Sequence, residues 1–221
     1  MNGLPQIVKA ERNLTGEIVI TFKAEDKETE TAFSDIRAGI SWPIRSLPGY
    51  LCIMGLLSAA QVGQPKSLML IYERTYEDNN KLMVDAYNRA HDLRFQRFYS
   101  DLKATEWHGF NREFQEKVRR GLGGGDIRLE HSYLAHDFRY GFEVVNRFGQ
   151  SGCFIIPKSC LLSEQLRQMV PANLEVDRPE NKFNAINGFR YAVVAFDKKR
   201  KPSGLGKEVE KERVISVQGW A

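Results

Sequence analysis

Four histidines, three cysteines, a glycine run and a basic tail are the groups whose types and spacing bear most directly on chemistry. His131 and His136 stand five apart, off the i, i+4 spacing by which one helix face shares a metal, so they read as surface or partly buried side chains. His91 and His108 fall on separate helical stretches. Cys52, Cys153 and Cys160 are odd in number, form no CxxC pair and lack the basic surroundings that activate a thiolate. No Gly-x-Ser-x-Gly elbow supports serine catalysis. The run Gly121-Leu122-Gly123-Gly124-Gly125 leads into Asp126 and Ile127, without the lysine of a phosphate-binding loop, so no bound nucleotide is expected. Asp101 closes a strand-like run and is well placed to cap the helix that follows. Between 197 and 213 lie seven basic and four acidic residues, a net +3, led by Lys198-Lys199-Arg200-Lys201. That run can meet phosphates in a salt-dependent way or stay a solvated terminus.

An ordinary globular core must hold these groups. The 221 residues are 42% hydrophobic and 27% charged, which fits one good-sized domain or two small ones and excludes a disordered chain. Thirteen Phe, eight Tyr and three Trp supply the bulk. Lys plus Arg is 32 against 28 Asp plus Glu, and the resulting +4 is too small to mark a nucleic-acid binder by itself. The cysteine usage and the absence of a basic-then-apolar leader predict a reducing cytoplasm. The longest apolar stretch, 50–60, is about half the ~20 residues of a membrane helix, so it reads as a buried strand and no membrane partner is expected.

Alternation at 17–23 suits a strand, and the polar stretch 24–31 suits a turn or loop. Strand-like runs follow at 38–42, 49–57 and 67–76, punctuated by Pro43, Ser46-Leu47-Pro48-Gly49 and Gly63-Gln64-Pro65. Such short connections predict antiparallel neighbours. Then the period changes. Leu82, Met83, Ala86, Tyr87 and Ala90 share one helical face behind Asp78-Asn79-Asn80, which offers caps. The run 95–102, reached across that helix, can lie parallel to an earlier strand. A helix from Thr105 carries Trp107, Phe110, Phe114 and Val118 inward. Later stripes predict helices through Leu134, Phe138, Phe142, Val145 and Phe148, through Leu161, Leu162, Leu166 and Met169, and through Ile186, Phe189, Val193 and Phe196. A short strand at 153–157 separates the first two.

Three antiparallel strands followed by α, β and α is the order of the ribonuclease H-like fold, an α/β class with one mixed sheet and further helices. Four segments add text to that order. Gly39-Ile40-Ser41-Trp42 opens the first strand, Leu70 to Glu77 ends the third in acidic and aromatic residues, and Phe98-Tyr99-Ser100-Asp101 ends the fourth in an aspartate. Near the end stands Asn184-Ala185-Ile186-Asn187-Gly188-Phe189-Arg190-Tyr191-Ala192. Together, over 39–196, they resemble the nuclease domain of the large terminase subunit of tailed bacteriophages. That family has aspartate where this chain has Ser41. Its last helix reads histidine, two residues, aspartate, two residues, arginine-tyrosine-alanine, where this chain has asparagine at both polar positions.

The resemblance implies a metal site at one sheet edge from Ser41, Asp101 and Asn187, with Asp101 the catalytic carboxylate. Two-metal nucleases need several carboxylates to bring hard cations to about 3.5–4 Å, and serine and asparagine are neutral. One aspartate is expected to bind Mg2+ or Mn2+ weakly and not to hold a pair. Asp35, Glu73, Glu77 and Glu180 are the acids that would restore a full set; the plainer reading of each is a solvated surface acid. Implied partners are DNA, met in part by Lys198, Lys199, Arg200 and Lys201, and a separate packaging ATPase or portal-type protein, in the host cytoplasm if the chain is viral. The expected division is an N-terminal strand and extension at 1–36, the ribonuclease H-like domain at 37–197 and a basic tail at 198–221. Three functions follow: a catalytically degenerate packaging or processing domain, an active metal-dependent DNA endonuclease, or a noncatalytic adaptor.

Overall fold

Runs of β-branched and aromatic residues broken by Gly and Pro dictate a sheet before anything else. The computed structural model describes residues 4–43, 48–58, 67–95, 97–100, 128–131, 138–151, 153–168 and 183–197, and these build one eight-stranded sheet with helices on both faces. Strands β1 (Gln6–Arg12), β2 (Ile18–Ala24), β3 (Lys27–Ser41), β4 (Gly49–Leu57) and β5 (Leu68–Tyr76) form an antiparallel meander. Helix α1 (Asn79–Asp92) leads to β6 (Arg97–Ser100), parallel to β3, and β7 (Arg128–His131) lies parallel to β6. Then come α2 (Phe138–Gln150), β8 (Phe154–Ile155) parallel to β5, α3 (Leu161–Gln168) and α4 (Asn184–Val194). The spatial order β5-β4-β3-β6-β7, three strands antiparallel and the fourth parallel to the first, is the expected ribonuclease H-like mixed sheet.

Strand alternation divides the core into two layers. Ile36, Ala38 and Ile40 of β3, Leu51 and Ile53 of β4 and Phe98 of β6 pack with Leu82, Met83, Ala86, Tyr87 and Ala90, the five residues that the sequence put on one face of α1. Asp78 caps that helix, accepting from the Lys81 N–H at 2.9 Å. On the other face Tyr50, Cys52 and Met54 of β4 meet Ile186, Phe189, Ala192 and Val193 of α4, Phe142 and Val145 of α2 and Leu162 of α3. Strand β4 is buried over nearly its whole length, which is why 50–57 reads as unbroken apolar sequence.

Three readings of the chain are corrected. The polar stretch 24–31 is not a loop: after a two-residue turn in which Glu25 takes φ 55°, the chain returns at Lys27 as the start of fifteen-residue β3. Its first residues, 27–30, pair with β2 while their side chains are exposed, so ladder hydrogen bonds override polar composition. Strand β1 went unread because it is an exposed edge with mixed burial. His131 sits on β7, not on a helix. Position 36, the expected domain boundary, lies inside β3, whose two halves join the hairpin β1-β2 to the central sheet. The helix from Thr105, the glycine run, Leu134 and the tail from 198 lie outside the described residues. No helix among the described residues is long and apolar enough to cross a membrane.

Candidate functional site

Two glycines bring the last helix onto the first central strand. A Cβ on Gly39 would stand 1.9 Å from the Gly188 carbonyl oxygen and 2.6 Å from the Ala192 nitrogen, so the backbones of β3 and α4 touch. A Cβ on Gly188 would meet the Tyr50 ring at 2.7 Å, and Tyr50 stands opposite Ser41 in the β3–β4 register. Ser41 therefore ends its strand on the face that α4 covers, and Asn187 is the residue before the helix's closest approach. Pairing of Ile40 with Ser100 sets the ends of β3 and β6 side by side, at the ~4.8 Å spacing of neighbouring strands. Ser100 is fully buried and its hydroxyl has no hydrogen-bond partner among the described residues. Asp101, the next residue, lies outside them, as do Glu180 and Lys198, Lys199, Arg200 and Lys201.

A relay of buried polar contacts fixes this edge. Glu73 on β5 accepts from the backbone N–H groups of Leu161 at 2.7 Å and Leu162 at 3.1 Å, capping α3, and it also takes the Tyr50 hydroxyl. From α3, Gln165 reaches the start of α4: its Oε1 accepts from Ala185 N–H at 2.9 Å and Ile186 N–H at 3.4 Å, and its Nε2 donates to Asn184 Oδ1 at 2.9 Å. Asn184 Nδ2 donates to the Pro48 carbonyl at 2.8 Å, tying α4 to the segment just ahead of β4. Burial pushes the Tyr50 phenol well above its ordinary range, with Cys52 and Glu73 adding to it, and burial likewise raises the Cys52 and Cys160 thiols. All three cysteines are buried and unpaired as disulfides.

The structure sorts the candidate acids. Both oxygens of Glu73 are engaged in a cap, so it is neither a solvated acid nor an idle ligand. Asp35 is on β3 itself, six residues and about 20 Å of strand before Ser41, and pairs with Arg37 at 2.7 Å. Glu77 is exposed and lines a groove on the α1 side. His91 is exposed at the end of α1, beside Asp92 at 3.6 Å. Of the two asparagines in the last helix, Asn184 is fully occupied by the relay, whereas Asn187 is half-buried. The described donors at the edge are thus a hydroxyl and an amide, and no group of three His, Cys, Asp or Glu among the described residues could hold a metal ion. That donor set does not fit a pair of hard divalent cations.

Sequence reasoning missed Glu73 as a cap, the Gln165–Asn184 relay, and a cluster on the opposite face in which Tyr72 and Tyr76 both donate to Asp85. Tyr72 and Tyr76, four apart on a strand and so on one face, were the available signal for the last.

No family model and no curated protein matches the chain. Among solved structures it is similar to the crystal structure of the large terminase (g2p) nuclease domain from bacteriophage SPP1 with bound Mn. The match has a TM-score of 0.45 and 13% identity, and covers 74% of this chain and 87% of that one. The strand order, not this likeness, carries the fold.

Proposed function

We propose that the chain is a terminase nuclease-like domain of viral DNA packaging or processing that acts by binding DNA or a packaging partner, with its two-metal chemistry lost. The observation that supports this most is the contact of Gly39 with Gly188, which brings the strand of Ser41 against the helix of Asn187, in a chain with neutral serine and asparagine where the family resemblance calls for aspartates. In this reading Asp101 is the surviving carboxylate and takes Mg2+ or Mn2+ weakly. Ser41 and Asn187 are hydrogen-bond donors suited to phosphate oxygens instead of cations, Lys198, Lys199, Arg200 and Lys201 add salt-dependent phosphate contacts, and a separate ATPase or portal-type protein supplies the motor.

The active-endonuclease alternative needs an additional carboxylate, and the engagement of Glu73 in capping α3 weighs against its recruitment. Incubation of supercoiled plasmid with Mn2+ separates the readings. The native chain is expected to retard DNA in a salt-dependent way without cutting it, and the double variant Ser41→Asp/Asn187→Asp to gain metal-dependent nicking that Asp101→Ala abolishes. Cutting by the native chain that Asp101→Ala removes establishes the endonuclease instead. Absence of any retardation from about 50 mM salt upward removes nucleic acid from the function and leaves the adaptor.

A further inference from the structure

Strand β1 is an outer strand of the sheet, with no neighbour beyond it among the described residues. The direction of its free amides follows from the turn into β2. Asn13 N–H donates inward to the Glu17 carbonyl at 2.9 Å, so by antiparallel alternation Glu11 and Lys9 also turn their backbone groups toward β2. Ala10 and Arg12 then present N–H and C=O to the open edge. Side chains alternate as well: Ala10 packs on the α1-face core, while Lys9 and Glu11 share the opposite face, both more than half exposed and paired with each other at 2.7 Å.

A lysine ordinarily blunts an open edge. Here an acid stands two residues on, and that spacing makes the strand complementary to itself. A second copy laid antiparallel about a two-fold axis through Ala10 sets Lys9 opposite the second copy's Glu11, and Glu11 opposite the second copy's Lys9, all on one face. Ala10 meets Ala10 as a pair that exchanges two N–H···O=C bonds through the groups already turned outward. The neighbouring two-fold registers are opposed by charge: an axis through Lys9 sets two lysines face to face, one through Glu11 two glutamates, and one through Arg12 two arginines. A bulge between Ile7 and Lys9 interrupts the strand, so the ladder spans 8–12 at most and does not slide toward the N-terminus.

We propose that β1 is a docking edge for a second copy of this chain, joining the two sheets through the register centred on Ala10. The inference stands apart from the DNA-binding reading above. The same patch serves both copies, so the contact closes as a dimer and does not propagate into a fibre. The Ser41 end of β3 takes no part, because only the first part of β3 lies beside β2. About five residues a side bury well under the ~1,200 Å² of a standard interface, which makes this a reversible dimer formed at high concentration.

Sedimentation velocity of the full chain over a concentration series reaching about 500 μM, a range set by the small contact, tests it. The native chain is expected to rise toward twice its monomer mass. Ala10→Pro removes only an outward N–H, which an edge strand tolerates, and is expected to weaken association about tenfold or more through the two bonds lost. Lys9→Glu and Glu11→Lys each set like charges opposite one another and are each expected to stay monomeric. Mixed in equal amounts, these two variants are expected to pair with each other, because every facing charge is then of opposite sign. Both changed side chains are exposed, so circular dichroism identical to the native chain is expected for the two charge variants. A native chain that stays monomeric throughout the series overturns the proposal, as does a dimer that Ala10→Pro leaves intact or a mixture of the charge variants that does not associate.

Discussion

Glu73 and Asp85 serve opposite faces of the same sheet end, both take tyrosine hydroxyls, and they organise different things. Glu73 meets backbone: the two N–H groups at the start of α3, plus Tyr50. Asp85 meets side chains only: Tyr72, Tyr76 and Arg89. A carboxylate that caps a helix fixes where the helix starts, and through Gln165 that position is passed to α4 and hence to Asn187. Asp85 instead sits in the middle of α1 and ties that helix to β5 through two phenols, without setting where a helix starts. The α4 face thus adds backbone contact and a capped helix to its apolar packing, whereas the α1 face has apolar packing with a polar rim. The two should fail differently when disturbed.

The largest effect is expected on the α4 face from Gly39→Ala. The added methyl has nowhere to go, because the obstructing atoms are the backbone of α4 itself. We expect a loss of about 4 kcal/mol in urea unfolding. A cost under about 1 kcal/mol would mean that α4 does not rest on β3, and the shared edge of Ser41 and Asn187 would go with it.

Next come the paired carboxylates. Glu73→Ala leaves two helix N–H groups and the fully buried Tyr50 hydroxyl without their acceptor, for an expected loss of about 3 kcal/mol. Glu73→Gln keeps one oxygen and should recover about half. Asp85→Ala frees phenols nearer to water and should cost about 1.5 kcal/mol. Equal losses for Glu73→Ala and Asp85→Ala would erase the distinction between capping backbone and gathering side chains.

Much of this architecture was legible in the sequence, and the reasons are physical. Helix α1 is amphipathic, so its five inward residues follow from period alone, and β4 is buried on both faces, so it reads as a continuous apolar run. Strand β3 was half read: 38–41 is apolar enough to see, while 27–31 is a polar ribbon whose pairing with β2 leaves no mark on composition. The candidate site was legible only in its positions. Ser41 and Asn187 could be found from motif order, but the Gly39–Gly188 contact that joins their elements spans 149 residues of chain and has no local signature. Likewise the role of Glu73 depends on a helix that begins 88 residues later, so its type and neighbours could not separate a cap from a surface acid.

The smallest effect compares the two faces through their tyrosines in alkali. Tyr50 on one face and Tyr76 on the other both have phenols raised by burial, Tyr50 further by its neighbours Cys52 and Glu73 and Tyr76 by its bond to Asp85. Below the ordinary phenol pKa of about 10 both states of the chain are neutral at these positions, and the contribution to stability is fully present. Above it the unfolded chain releases protons that the folded chain keeps, so stability falls with rising pH, by about 1.4 kcal/mol per unit for each tyrosine. Removing one titrating group should therefore flatten that fall, while costing only about 1 kcal/mol at neutral pH through its lost hydrogen bond. Urea unfolding at intervals from neutrality to pH 11 is expected to give shallower and matching slopes for Tyr50→Phe and Tyr76→Phe. A Tyr76→Phe slope equal to the native one, beside a flattened Tyr50→Phe slope, would show that the α1 face admits water to its phenols. In that event the Tyr72–Tyr76–Asp85 cluster is a wet rim of the α1 face and not part of its core.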